Sequence, residues 1–268
     1  MLVRKPAVAG LFYPENPEAL AATVKRLLDE AAGEAAAEAP EAPPKAVIVP
    51  HAGYVYSGPV AASVYARLLP LRGRIRRVVL LGPAHHAYVR GLAASRADAF
   101  ATPLATVPVD RAAVERLLAT FPQVVLSDEA HAREHSLEVQ LPFLLAVLGD
   151  FELVPLAVGN ASPEEVAEVL EFLWDGPETL VVVSSDLSHY YPYSVARKLD
   201  LATTRSIEAL DPTGLHEESA CGRIPVQGLL LAARHHGLHC RTVDLRNSGD
   251  TAGPRDRVVG YGGYLLAA

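Results

Sequence analysis

Short apolar runs alternate along this chain with longer stretches in which apolar residues recur every three or four positions. The run 181–183, three valines in a row, predicts a strand that is buried on both faces. The stretch 17–32 places Leu20 and Val24 on one stripe and predicts an amphipathic helix. Strands alternating with helices at this spacing indicate an α/β fold.

The predicted fold is a single α/β domain over residues 1–268, with a mostly parallel central sheet and helices on both faces. The segment 34–45 is predicted to be a surface linker and 88–109 to be rich in loops. The predicted strands are 46–50, 77–81, 124–126, 152–158, 179–184, 240–245 and 258–267. The predicted helices are 17–32, 59–69, 111–120, 134–148, 163–173, 194–210 and 225–236.

Composition narrows the classes of partner. The net charge of -7 and the pI of about 5.8 argue against nonspecific nucleic-acid binding, which needs a basic surface. We find no signal peptide and no apolar run of the roughly 18 residues that a membrane span requires. The two cysteines are too few for a disulfide framework. We therefore expect a cytoplasmic protein without a membrane partner.

Imidazoles follow three of the predicted strands directly. His51 comes after 46–50, His85 comes after the strand at 77–81, and His189 follows the valine-rich strand. Ligands of open α/β sheets bind at the carboxyl ends of the strands. The sequence therefore predicts that these histidines share one cleft.

His51 and His85 also have plainer interpretations. His51 precedes Gly53 and could cap the next helix from a turn. His85 and His86 point apart on an extended turn, and we expect His85, which is closer to the strand, to face the cleft; the alternative is that the two histidines form a surface pair.

Asp186 and His189 are three residues apart and would share a face if the turn between them were helical. The carboxylate could then orient the ring for proton transfer. The alternative is that Asp186 caps a helix. Cys221 lies at a predicted helix start, where a thiolate is stabilised, although free cysteines are more often small buried hydrophobic residues.

The segment His131-Ala132-Arg133-Glu134-His135 fits the H-x-x-E-H pattern of inverted zinc peptidases. On a helix the two histidines could chelate zinc, with Glu134 as the base. The motif is short, and chance matches are common in a chain with ten histidines.

Five motifs occur in an order and spacing that resemble the Memo family, whose prokaryotic members are also called AmmeMemoRadiSam system protein B. The resemblance extends along nearly the whole chain. The motifs are PHAGYVYSG at 50–58, LGPAHH at 81–86, EHSLEVQLPF at 134–143, SSDLSHY at 184–190 and CGRIP at 221–225.

The resemblance implies the fold of class III extradiol dioxygenases and a non-haem metal site. By this resemblance His51 and His85 are metal ligands, and Cys221 stands where the dioxygenases have a carboxylate. His189, with Asp186, corresponds to the acid/base group. His135 corresponds to another cleft histidine, so that the family pattern begins at Glu134 and the zinc-peptidase motif is incidental.

The implied function is redox or oxygen chemistry on a small organic substrate, with Fe(II) or Cu as the expected metal and zinc as the third candidate. A thiolate favours copper or zinc while still permitting iron, and it argues against ring cleavage. The family name also implies a pathway link to AMMECR-type and radical SAM proteins. The alternative is a non-catalytic peptide- or protein-binding module with a vestigial dioxygenase cleft.

Overall fold

The structure is a computed structural model that describes residues 1–37 and 42–268. The helices are α1 (Pro17–Ala37), α2 (Tyr54–Ala66), α3 (Arg111–Thr120), α4 (Asp128–Ala132), α5 (Leu141–Leu148), α6 (Pro163–Phe172), α7 (Tyr193–Glu208), α8 (Arg223–His235) and α9 (Ser248–Thr251). The strands are β1 (Val3–Arg4), β2 (Ala46–Val49), β3 (Arg77–Pro83), β4 (Leu92–Ala94), β5 (Ala99–Ala101), β6 (Thr106–Pro108), β7 (Val124–Leu126), β8 (Glu152–Val158), β9 (Thr179–Ser184), β10 (His189–Tyr191), β11 (His239–Asn247) and β12 (Val258–Ala267).

A large mixed sheet forms the centre of the fold, with the order β10-β12-β2-β9-β3-β8-β4-β7 and with β11 paired to β12. The four central strands, β2, β9, β3 and β8, are parallel. Towards the edges the pairing changes, because β12 runs antiparallel to β2, β10 and β11, and β4 runs antiparallel to β8. The α/β class is confirmed and the architecture is consistent with a dioxygenase-like fold, whereas the sheet is mixed rather than mostly parallel.

The central strands form the core of the sheet. Every residue of β2 and β9 is buried, which explains why these segments are continuous apolar runs instead of alternating ones. In their register Val49 pairs with Ser184, so both strands end at the same level. The residues that follow them in the chain therefore meet at one edge of the sheet.

The bounds of several elements match the prediction, among them α3, β7, β8, β9 and β12. In α3, β7 and β8 the apolar pattern is bounded by a proline, glycine or capping residue. Asp110, for example, accepts a hydrogen bond from Ala113 N and thereby fixes the start of α3. The predicted loop at 88–109 contains three short strands, β4 to β6.

The predicted helix at 134–148 is wrong in its first half. A 3₁₀ turn at Glu138–Gln140 precedes α5, and residues 134–137 are not helical. The Glu134 carboxylate accepts the N–H groups of His135 and Ser136, which fixes the chain in a turn. A local apolar pattern does not reveal such a side-chain contact.

Two further helices differ from their predicted bounds. The helix predicted at 59–69 begins at Tyr54 and contains Pro59, so it starts three residues after His51. Helix α1 extends to Ala37, into the predicted linker 34–45, of which residues 38–41 lie outside the described residues.

In the part of the chain that the structure describes, none of the helices combines the length and the apolar character that crossing a bilayer requires.

Candidate metal centre

Three loops bring histidines to the carboxyl edge of the sheet. His51 follows β2, His85 lies two residues after β3, and His135 lies in the turn between α4 and the 3₁₀ turn at Glu138–Gln140. One nitrogen of each ring lies within 4.8 Å of one nitrogen of each of the others. The three side chains therefore form a cluster, which we call the histidine cluster.

The rings of the histidine cluster pack against one another. The centroids of His85 and His135 are 4.8 Å apart in a stacked pair. His51 meets both edge-on, at 5.3 Å and 5.4 Å. Burial, together with these two neighbours, holds the pKa of His51 well below its ordinary value, and burial lowers the pKa of His135 to about 4. The rings of His51 and His135 are thus neutral near pH 7, which is the state that binds metal.

Hydrogen bonding determines the tautomer of His51. Its Nδ1 lies 2.9 Å from Ser184 Oγ. That hydroxyl donates its own hydrogen to Ser136 O at 2.6 Å and accepts from Gln140 Nε2 at 2.8 Å. It can therefore only accept from His51, so Nδ1 carries the proton and Nε2 presents a lone pair to the cleft.

His85 is oriented by a buried carboxylate. Its Nδ1 lies 2.9 Å from Glu134 Oε1, and its backbone N–H donates to Glu134 Oε2 at 2.5 Å. Although burial by itself raises the pKa of Glu134, the hydrogen bonds from His85 hold it well below its ordinary range. The carboxylate is ionised, accepts the Nδ1 proton and leaves Nε2 of His85 free to coordinate, an arrangement typical of metal-binding histidines.

Glu134 and Ser184 are the residues that the sequence-based prediction missed as partners of the cluster. Glu134 was considered only as a peptidase base. A signal was present, because both residues lie inside motifs that carry the Memo resemblance, and Glu134 directly precedes the predicted cleft histidine His135.

His131 does not belong to the histidine cluster, so the zinc-peptidase interpretation is wrong. Helix α4 ends at Ala132, so His131 and His135 do not lie on one helical face. His131 is buried, its Nε2 is 2.9 Å from Ala93 O, and its ring meets Phe100 edge-on at 5.7 Å. It is a core residue.

Cys221 lines the same cavity and contacts the histidine cluster. Its Sγ lies 3.2 Å from His51 Nε2, the nitrogen that carries the free lone pair. Burial raises the pKa of the Cys221 thiol to about 12, so without a metal it is a protonated donor to that nitrogen. The bond joins residues 170 positions apart in the chain. The role of Cys221 as a ligand stays a prediction.

Asp186 holds the loop that carries His51. Its Oδ1 accepts the backbone N–H of His51 at 2.7 Å. Residues 185–188 are not helical, and His189 lies in β10, so the predicted helical turn that would place Asp186 beside His189 does not form. Asp186 therefore neither orients His189 through such a turn nor caps a helix. Burial raises its pKa to about 7.

All of the predicted site residues line one cavity of about 940 Å³. Its mouth carries Tyr56, Tyr190 and Arg257, and the guanidinium of Arg257 lies 5.4 Å from the centroid of the Tyr190 ring. The predicted site residues on its wall are His51, His85, His135, Asp186, His189 and Cys221.

The residues present fit a transition-metal ion. In His51 and His85 the Nδ1 proton is engaged by an acceptor, so each ring directs an unprotonated Nε2 towards the shared space. Neutral imidazole suits iron, copper and zinc, and a neighbouring thiol adds a soft donor.

Comparison with known proteins identifies the family. The model of the Memo family, described as "Memo-like protein", matches residues 4–265. The chain belongs to the Memo family. A MEMO1 family protein of Ignicoccus hospitalis is 38% identical over 283 residues, covering 97% of each chain. A MEMO1 family protein of Aquifex aeolicus is 37% identical over 278 residues, covering 99% of this chain and 100% of its own.

Proposed function

We propose that this Memo-family protein binds a transition-metal ion at the histidine cluster and carries out redox or oxygen chemistry on a small organic substrate. The observation that supports this is the convergence of three imidazole nitrogens, within 4.8 Å of one another, in a cleft of about 940 Å³. Drug-sized ligands occupy pockets of about 300–1,000 Å³.

His51 and His85 would hold the ion through Nε2, together with His135 or Cys221. A bound Fe(II) or Cu ion would supply Lewis-acid and redox chemistry, and Zn(II), the third candidate, would supply the first alone. The thiol of Cys221 lies beside His51 Nε2, so its sulfur could bind the same ion either together with His51 or in its place.

His189 is the group that we propose to move protons. It lines the cleft, and burial lowers its pKa below the ordinary value, so it is neutral near pH 7 and can accept a proton from substrate. Asp186 contributes by fixing the backbone of His51. The pathway link to AMMECR-type and radical SAM proteins stays a prediction, as does the cytoplasmic location.

Anaerobic titration with Fe(II) and with Cu(I) tests this function. We expect one equivalent of metal in the wild type and none in His51→Ala, because that variant removes the buried central ligand. Cys221→Ser should weaken copper binding more than iron binding, since the hydroxyl is a harder donor than the thiolate. A wild-type protein that takes up neither metal would overturn the proposal.

A further inference from the structure

A fully buried carboxylate connects the N-terminal segment to the loop of His135. The Glu138 side chain has no exposed surface and accepts four donors, all from residues 4–13. The donors are the Arg4 guanidinium, Ala7 N at 2.7 Å, Val8 N at 3.0 Å and Tyr13 Oη at 2.5 Å. Glu138 lies three residues after His135, and the N–H of the next residue donates to His135 O at 3.1 Å.

Arg4 holds the same loop at two further points. Its Nη2 donates to Glu134 O at 2.6 Å, and both Nε and Nη2 donate to His131 O, at 3.0 Å and 2.9 Å. The guanidinium is buried and pairs with Glu138. Arg4, in β1, thus fixes this loop both before and after Glu134, at His131 O and at the Glu138 carboxylate. Glu134 is the residue that orients His85.

The far end of the N-terminal segment contacts a second ligand-bearing loop. Phe12 O accepts the N–H of Tyr54 at 2.7 Å, three residues after His51. The Phe12 ring lies 4.7 Å from the ring of His135. A single segment therefore contacts the loops of His51 and His135, which do not adjoin in the chain.

We propose that residues 4–13 act as a clamp on the histidine cluster, with Glu138 as the positioning residue. The clamp sets the distance between His135 and His51 and thereby the affinity of the cluster for metal. Its metal-binding part rests on the function proposed above. A buried ion pair adds little net stability compared with an apolar pair, but it defines geometry when every donor and acceptor is satisfied. Coordination tolerates displacements of only about 0.5 Å.

The variant Glu138→Gln tests the clamp, because it keeps the size of the side chain and removes its charge. The probe is zinc chloride, competed against a chromophoric chelator, since zinc does not oxidise the thiol of Cys221. Loss of groups that orient metal ligands weakens metal binding about 10–100-fold. We expect a loss in this range, and an affinity within about twofold of the wild type in a folded variant would overturn the proposal.

Arg77→Gln is the matched control. Arg77 pairs with Asp110 at 2.8 Å and with Asp175, at the amino end of β3, whereas His85 follows the carboxyl end of that strand. The control removes two ion pairs of a partly buried arginine without touching the clamp. We expect it to lower the melting temperature and to leave the zinc affinity unchanged. An equal loss of affinity in both variants would reduce Glu138 to a general stabilising residue and overturn the proposal.

Hydrogen exchange of the metal-free protein separates the clamp from the proposed function. The N–H groups of His135 and Ser136 both donate to Glu134 Oε1 at 2.9 Å. Their protection should fall in Glu138→Gln and persist in Arg77→Gln. If the wild type takes up neither Fe(II) nor Cu(I) nor zinc, the proposed function fails, whereas unchanged protection in Glu138→Gln overturns the clamp whether or not metal binds.

A second variant covers the case in which Glu138→Gln does not fold. Tyr13→Phe removes one donor to Glu138 and leaves the ion pair with Arg4 in place. Weaker zinc binding with less protection at His135 supports the clamp. Wild-type values for both measurements in Tyr13→Phe overturn it.

Discussion

His131 and His135 are four residues apart, yet they lie in different environments. Burial lowers the pKa of both to about 4. His131 packs against Phe100 and donates to Ala93 O, whereas His135 lines the cleft beside His51 and His85. The comparison shows that a low pKa alone does not identify a functional histidine. What distinguishes the two is access to a shared cavity.

The largest expected difference between the two residues is in metal binding. If His135 rather than Cys221 is the third ligand, His135→Ala should weaken zinc binding by more than about 100-fold, because removing a ligand exceeds the loss caused by removing a partner of a ligand. His131→Ala keeps the backbone carbonyl that Arg4 binds, so it should change the affinity far less. Competition titration of both variants measures their zinc affinities. Equal affinities would show that the two histidines do not differ in their contribution to metal binding.

The acid stability of the protein should depend on His131. Its pKa is about 4 in the folded protein and near 6.5 when unfolded, so the unfolded chain binds the proton first as the pH falls. The stability that neutral His131 contributes is therefore present above pH 6.5 and is lost as the pH falls from 6.5 to 4. The free energy of unfolding should decrease by about 3 kcal/mol over this range.

Denaturant unfolding at pH 7 and pH 4, in the wild type and in His131→Gln, measures this contribution. The amide of glutamine can still donate to Ala93 O but does not titrate. The variant should lose less stability than the wild type between the two pH values. The same pH dependence in both proteins would show that His131 is not the group responsible.

The smallest expected effects concern the two phenylalanines. Phe100→Leu, in the core beside His131 and Arg4, should lower the free energy of unfolding by about 1 kcal/mol and weaken zinc binding less than Phe12→Leu does, because it reaches the clamp only through Arg4. Phe12→Leu, beside His135, should lower stability less and weaken zinc binding severalfold, because Phe12 is only partly buried and contacts the cleft histidine. Calorimetry and the same competition titration measure both effects, and the reverse pattern would contradict the comparison.

The sequence was sufficient for elements whose residues determine their own conformation. Strands β8 and β9 are uninterrupted apolar runs, and Ser162 begins α6 with a capping box that involves Glu165. The turn at 134–137 could not be predicted in this way, because Glu134 is held by His85, a residue 49 positions earlier. Strand β1 has only two residues and is defined by pairing with β5.

The site was predictable where histidines follow central strands, as His51 and His85 do. The roles of Arg4 and Glu138 could not be predicted, since the two residues that make this contact are 134 positions apart in the chain. One signal was present, because Glu138 is an isolated charge inside the apolar run 137–145. A buried charge requires a partner, but the pattern does not say which residue supplies it.

The long separations within the cleft also constrain when it can assemble during synthesis. His51 must meet Ser184 and Cys221, and the hydrogen bonds that join them span 133 and 170 positions. A ribosome adds about 5–20 residues per second, so many seconds pass between the synthesis of His51 and that of its last partner, Cys221. During that interval the nascent chain contains the imidazoles of His51 and His85 without the residues that complete the cleft. With this topology, metal ions can bind to the imidazoles before the site has formed.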